Sequence, residues 1–396
     1  MKKERFPELV VAIVGDTESG KTQLANRLCA LTTEAVAYSP VMVTAGSDKL
    51  SLTPKFGSFR KEQTCVPSEQ SEYYIFDSDQ VCLELVTVPG RRKYWKWGDY
   101  AMTDADAAII VVNKPSDAEI PIACLIEPLV HAMAYGISLV SVAISASSGE
   151  TCDFPKIRDA VLSDIQRVFG PEVGNIPILS FENETPGQYD EIRNYLETLR
   201  APKRNLAGPF TLSINSIHAR DDCVLLGGKV LSGSVAVGDT VMLMPSAIPL
   251  KVDSIRISGD ITVNVACAGQ IAGLRVSGIP RNYLSCGMAL VHGPVVGRST
   301  RMIEARINFF NTNFEVKVGF SPAISILSCH VAGKLIHIEN DAKSLQLGDT
   351  AVVQISLNKA VYAEIFESDR KSRFSRLVLR QENIIVGVGT VERFLD

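Results

Sequence analysis

Leu9-Val10-Val11-Ala12-Ile13-Val14 runs into Gly15-Asp16-Thr17-Glu18-Ser19-Gly20-Lys21-Thr22, and Gln23-Leu24-Ala25-Asn26-Arg27-Leu28 follows. An apolar run, a glycine-bounded turn and a helical pattern come in that order, and the turn satisfies G-x-x-x-x-G-K-[ST] in full. Two glycines let the backbone curl until successive N–H groups point inward, and the helix that follows adds the positive end of its dipole. A loop of this kind binds phosphates with residues Gly15, Asp16, Thr17, Glu18, Ser19, Gly20, Lys21 and Thr22. Lys21 reaches for the β- and γ-phosphates, and the Thr22 hydroxyl ligates Mg²⁺. Leu24, Leu28 and Leu31 recur at helical spacing, so the turn lies between a buried strand and an amphipathic helix.

The chain around this loop has 396 residues, 46% apolar and 21% charged, a length at which two or three domains are expected. A net charge of −4 and an isoelectric point near 5.9 argue against a chain-wide electrostatic grip on nucleic acid. DNA binding is not expected, and an RNA partner must be held locally. Nine cysteines are scattered without a C-x-x-C pair, which fits reduced core thiols better than a disulfide frame or a zinc site. No apolar run reaches about 18 residues, and Met1-Lys2-Lys3-Glu4-Arg5 leads only into a short strand. The expectation is a soluble, cytoplasmic protein with neither signal peptide nor membrane span.

From residue 9 to about 200, short apolar runs at 9–14, 73–76, 82–88, 107–112, 138–144 and 176–180 alternate with helical patterns at 21–31, 92–102, 120–135, 155–169 and 188–199. Such alternation predicts an α/β domain built on a mostly parallel sheet. Residues 37–71 interrupt the rhythm without clear periodicity, as functional or mobile segments do. After a linker-like stretch at 201–209, strand patterns at 210–218, 223–231, 240–244, 252–257 and 271–276 predict a small β-barrel, and a second β-rich unit starts near residue 301. Val235-Ala236-Val237-Gly238-Asp239-Thr240 is echoed by Leu345-Gln346-Leu347-Gly348-Asp349-Thr350, an echo that tight-turn chemistry alone can produce.

A phosphate-loop domain followed by two barrels resembles the translational GTPases elongation factor 1-alpha and elongation factor Tu. Val86-Thr87-Val88-Pro89-Gly90-Arg91-Arg92 sits where that family writes D-x-P-G-H, and Ala105-Asp106-Ala107-Ala108-Ile109-Ile110-Val111-Val112 is similar to its A-D-x-A-I-x-V-V strand. Gly228-Lys229-Val230-Leu231-Ser232-Gly233 resembles the second domain's G-R-V-E-x-G. Gly319-Phe320-Ser321-Pro322, His330 to Leu335, and Arg376 to Arg380 with Val386 to Gly389 resemble the third domain of elongation factor 1-alpha. The resemblance implies an α/β P-loop GTPase-like domain at 1–204 and all-β barrels at 205–298 and 299–396.

It also implies where a nucleotide and its metal sit. Gly90 would supply a backbone N–H to the γ-phosphate, Ser145 and Ser148 stand in place of the family's N-K-x-D guanine-reading element, and Ser180 falls in its second base-contacting loop. Without the guanine-binding carboxylate, base discrimination is expected to drop by about 10- to 100-fold. Thr87 replaces the Asp that holds Mg²⁺ through water, leaving Thr22 and, from the 61–68 segment, Thr64 or Ser68 as metal ligands. Arg91 replaces the water-positioning His. A guanidinium donates hydrogen bonds and accepts none, so hydrolysis is expected to be slow or lost, the alternative role for Arg91 being neutralisation of phosphate charge.

Arg91-Arg92-Lys93-Tyr94-Trp95-Lys96-Trp97 is a basic and aromatic run suited either to RNA or to packing on a barrel. Leu231 removes the Glu that the family places beside the aminoacyl end of tRNA. The five histidines show no metal-ligand spacing. The implied cofactors are GTP or GDP with Mg²⁺. The implied partners are the ribosome and either tRNA or a release-factor-like protein. The other reading of the same residues is a pseudo-GTPase scaffold that does not cycle.

Overall fold

All six residues of the first strand, Leu9–Val14, are buried, and a strand buried on both faces belongs in the middle of a covered sheet. The structure, a computed structural model, describes residues 7, 9–30, 37–38, 71–114, 120, 122–146, 153–169, 176–182, 189–220, 223–258, 261–294, 296–310, 315–339, 342–346, 348–370 and 372–396. Thr64, Ser68 and Ser148 lie outside them. Two compact units form, and the last passage of the chain from one to the other falls between Pro202 and Lys203.

The first unit runs β1 (Leu9–Val14), α1 (Lys21–Ala30), β2 (Ala37–Tyr38), β3 (Glu72–Asp77), β4 (Cys82–Thr87), α2 (Trp95–Asp104), β5 (Ala107–Lys114), α3 (Ile122–Ala134), β6 (Leu139–Ala146), α4 (Phe154–Phe169), β7 (Ile178–Glu182) and α5 (Asp190–Thr198). The sheet order is β2-β3-β4-β1-β5-β6-β7. The five strands β4 to β7 in that order are parallel, and β2 and β3 form an antiparallel edge. Leu9, Val11 and Ile13 pack with Leu24 and Leu28 of α1 and with Ile192 and Leu196 of α5. The turn after β1 therefore opens at the carboxyl edge of the parallel strands, where α/β sheets bind ligands.

The second unit contains both barrels. The first is built from β8 (Phe210–Arg220), β9 (Cys223–Ser232), β10 (Ser234–Ala236), β11 (Thr240–Met244), β12 (Ile248–Ile257), β13 (Ile261–Val263), β14 (Val265–Cys267), β15 (Ile271–Ser277) and β16 (Ala289–His292). It closes in the order β11-β16-β8-β9-β15-β12, with β13 added beside β12 and β10 and β14 forming a separate ribbon. Along β8, Phe210, Leu212 and Ile214 point into its core, the period of two that a strand imposes. The second barrel closes as β17 (Arg298–Phe309), β20 (Thr350–Ala363), β19 (Cys329–Ile338), β18 (Ala323–Ile326), β21 (Arg376–Gln381) and β22 (Ile384–Phe394).

The repeated Gly-Asp segments have the same construction. Asp239 accepts from the Ala236 N–H at 2.8 Å and Asp349 from the Gln346 N–H at 2.6 Å, while Gly238 and Gly348 take φ of 95° and 87°. Nothing stands within 4 Å of a Cβ at either glycine, so the left-handed backbone alone selects glycine there. The echo is a turn that launches β11 and β20.

Among the described residues the cysteines are free thiols. Burial pushes Cys29 up to about 12 and Cys329 up to about 11.

The barrels meet through a buried polar contact. The Ser213 and Ser328 hydroxyls are 2.8 Å apart, and Ser328 also donates to the Ile214 carbonyl at 3.3 Å. Both serines are fully buried, and a buried polar group that loses its partner incurs the desolvation penalty. Ser328→Ala is expected to cost about 1–3 kcal/mol, measured as a lowered midpoint of urea unfolding with an unchanged slope.

Candidate phosphate-binding site

Gly15 leaves β1 with φ 156°, and a Cβ there would stand 2.2 Å from the Val111 carbonyl oxygen of β5. Only glycine lets the chain turn so close to its neighbour strand. Glu18 takes the left-handed conformation at φ 63° and Gly20 at 92°, the alternation that turns successive backbone N–H groups to one side. Asp16 ties the turn together. Its Oδ1 accepts from the Thr17 N–H at 2.7 Å, and its carbonyl accepts from the Ser19 N–H at 3.3 Å.

The Lys21 ammonium folds back into this curl. Its Nζ donates to the Asp16 carbonyl at 2.5 Å and to Ser19 Oγ at 3.3 Å. Only 7% of Lys21 is exposed. Burial lowers its pKa to about 8, and the Asp16 carboxylate partly offsets that fall. Phosphate oxygens offered to the loop would meet a cation whose charge the protein otherwise disfavours. Thr22, half-buried, opens α1 beside it.

Gly90 faces the loop from the end of β4. A Cβ on it would lie 2.4 Å from the Thr17 nitrogen and 2.7 Å from the Asp16 carbonyl oxygen, so two backbones touch with no room for a side chain. Thr87, 2% exposed, ends β4 in register with Ile13. Arg91 follows Gly90 and is exposed.

The carboxyl edge continues across the sheet. Asn113 of β5 is paired in register with Ser145 of β6, and Ser145 in turn with Phe181 of β7. Ser145 is 1% exposed. Ser180 lies inside β7, where its hydroxyl donates to Glu191 at 2.8 Å and accepts from Arg158 at 3.2 Å. It thereby joins the sheet to α4 and α5. Asp153 caps α4, its Oδ1 accepting from the Lys156 N–H at 3.3 Å. The structure thus brings residues 15–22 and Gly90 together at one end of the sheet, and places Ser145 and Ser180 one and two strands beyond β5.

Sequence reading passed over Asn113, whose only signal is a polar residue breaking the apolar run of β5. It also passed over two contacts of α3. Cys124 Sγ donates to Asp16 Oδ2 at 3.6 Å, its pKa raised by burial and then by Asp16. His131 Nε2 lies 2.7 Å from Asp99 Oδ1.

In the basic and aromatic run, Arg91, Arg92, Lys93 and Lys96 are exposed and Tyr94, Trp95 and Trp97 half-buried. Lys93 sits 4.6 Å over the Tyr94 ring, Lys96 5.7 Å over Trp95, and Trp97 meets Tyr100 edge-on at 5.8 Å. Leu231 is half-buried in β9. No group of three His, Cys, Asp or Glu arranged for a metal occurs among the described residues, nor does a helix long and apolar enough to cross a membrane.

The donor set fits a polyphosphate. The curl, the recessed ammonium and the Gly90 backbone make a cradle that a Cβ at Gly15 or Gly90 would fill. For a divalent ion, Thr22 and the phosphates themselves would be the ligands, since Thr87 offers a hydroxyl where a carboxylate would serve better.

The sheet, its phosphate loop and two six-stranded barrels together define the architecture of translational GTPases. No protein-family model matches the chain. Over most of its length it is similar to elongation factor 1-alpha of Pyrobaculum calidifontis, with 22% identity covering 91% of this chain and 89% of that one. Elongation factor 1-alpha of Archaeoglobus fulgidus is 20% identical over 99% and 98%. The fold is shared with translation elongation factor SelB from Methanococcus maripaludis in complex with the GTP analogue GppNHp, at a TM-score of 0.72 and 16% identity, covering 99% of this chain and 80% of that one. The bacterial selenocysteine-specific elongation factor EF-Sec gives 0.67 and 17%, over 97% and 58%. Over nearly its whole length the chain resembles elongation factor 1-alpha in sequence, and it shares its fold with SelB and EF-Sec.

Two outcomes test the site as built. In ¹³C-labelled protein, one lysine signal absent from Lys21→Met should titrate near pH 8, while exposed lysines titrate about two units higher. Gly90→Ala should displace the loop and cost about 1–3 kcal/mol by overpacking, read from thermal unfolding of the full chain.

Proposed function

We propose that the chain binds a guanine nucleotide with Mg²⁺ at residues 15–22 and presents its two barrels to a translation partner. The observation that carries this reading is the recessed Lys21 ammonium inside an intact phosphate loop with Gly90 against it. The likeness to elongation factor 1-alpha over nearly the whole chain supports it, as does the fold shared with a SelB bound to a GTP analogue. In this reading Gly15, Asp16, Thr17, Glu18, Ser19 and Gly20 line the phosphates with backbone N–H groups, and Lys21 neutralises them. Thr22, with Thr64 from the 61–68 segment, holds the metal. Ser145, Ser148 and Ser180 stand on the base side, and Gly90 senses the terminal phosphate. The partners are the ribosome with tRNA or a release-factor-like protein, in a cytoplasmic setting.

Turnover is a separate question, and two observations favour the pseudo-GTPase reading for it. Thr87 supplies no carboxylate, and Arg91, standing where the family has its water-positioning His, has no acceptor with which to orient water. Single-turnover hydrolysis with and without ribosomes separates the alternatives. A rate that ribosomes do not raise supports a binding scaffold, and ribosome-stimulated cleavage supports a cycling GTPase.

Binding is tested by titrating fluorescent GTP, GDP and ATP in parallel with Mg²⁺. Lys21→Ala should weaken binding by about 10- to 150-fold, the value of a charge-assisted hydrogen bond. Phosphate favours the ammonium, so bound nucleotide raises the Lys21 pKa. Affinity is then flat below the free value of about 8 and falls by about tenfold per pH unit above it, until the bound-state pKa is reached. Failure of all three nucleotides to bind would overturn the proposed function.

A further inference from the structure

Cys124, Glu127 and His131 fall at i, i+3 and i+7 of α3, a single row along one side of the helix. Each touches a different part of the phosphate-loop neighbourhood. Cys124 meets Asp16 of the loop at 3.6 Å. Glu127 accepts from Arg92, just past Gly90, at 3.3 Å. His131 meets Asp99 in the body of α2 at 2.7 Å.

The contacts differ in how firmly they hold. The Arg92 side chain is 58% exposed, and an ion pair in water contributes little. The Asp99 carboxylate is wholly buried and the imidazole nearly so. Breaking a contact to a buried carboxylate costs more than breaking one in water, because the medium around it has a low dielectric constant. The helices also approach closely at the neighbouring position, where a Cβ on Gly98 would stand 3.4 Å from His131 Cε1. Of these three contacts, the buried Asp99–His131 pair resists separation of α2 from α3 most.

That resistance reaches the loop. Gly90 leads through Arg91 and one short turn, Arg92–Tyr94, into α2, and Gly90 is in backbone contact with Asp16 and Thr17. We propose that the Asp99–His131 pair is a positioning latch: it holds α2 on α3, keeps Gly90 seated on the phosphate loop, and sets how readily that seat opens. Its link to nucleotide release rests on the nucleotide reading of the loop, whereas its hold on α2 does not.

The test is hydrogen–deuterium exchange of the full chain without nucleotide, comparing wild type with His131→Leu, His131→Gln and Asp99→Asn. In His131→Leu, amides of residues 90–104 should exchange about tenfold faster or more, with α5 and both barrels unchanged. His131→Gln, whose amide can donate to Asp99, should restore protection to within about threefold of wild type. Unchanged exchange in α2, or loosening spread evenly over the first unit and not rescued by Gln, overturns the latch. Should His131→Leu not fold, Asp99→Asn removes only the charge, and exchange at 90–104 should rise about threefold; no rise overturns the proposal.

A second arm uses the chain's two tryptophans, Trp95 and Trp97, both in the first turn of α2. Their emission during release of fluorescent GDP should change about tenfold faster in His131→Leu than in wild type, and equal rates overturn the coupling to release. If wild type binds no nucleotide, the proposed function fails, and the exchange arm still decides the latch.

Discussion

A Cβ on Gly15 would stand 2.2 Å from the Val111 carbonyl of β5 and 2.8 Å from the Ser19 hydroxyl. That missing volume lets β1 end against its neighbour strand and the next five residues curl over the sheet edge. The Asp16 carbonyl then points where the Lys21 ammonium can reach it, and α1 starts with its leucines over the core. Gly90, arriving from β4 on the other side of β1, meets the same curl. The two glycines are related through the register Ile13 with Thr87 and Val11 with Ala107. Sheet order and site geometry are thus one arrangement, seen at two scales.

Around this cradle, the candidate side chains at the same edge of the sheet are hydroxyls and an exposed guanidinium. Ser145 is buried within β6, and Ser180 is held by Glu191 and Arg158 as part of the packing between β7, α4 and α5. Thr87 is a buried hydroxyl, and Arg91 extends into solvent. A phosphate cradle of this kind draws on backbone N–H groups and one lysine, which depend little on side chains elsewhere. Base reading and water activation need particular side chains, carboxylates and hydrogen-bond acceptors above all.

Much of the architecture was legible in the residues. The strand and helix patterns from residue 9 to 199 correspond to β1 and β3 to β7 and to α1 to α5, because each has an apolar period that local geometry enforces. The eight residues of the phosphate loop, 15–22, are contiguous, so their motif is visible without any fold. The Gly-Asp echo was visible but not its meaning. Its carboxylate-to-N–H bonds show two turns of one design, each launching a barrel strand.

By itself the sequence determined the loop, the alternation that makes an α/β sheet, and the change to strand patterns after the 201–209 stretch, since all three depend on neighbours within a few positions. Only the tertiary structure decided which distant groups meet. Asp99 and His131 are 32 positions apart and Cys124 and Asp16 are 108 apart, yet each pair is in contact. Ser213 and Ser328 join two barrels across 115 positions. A lone Asp or His on an otherwise apolar helix face has no period to announce its partner. Burial makes such a pair matter, because a charge removed from water must be answered wherever the chain happens to bring an answer.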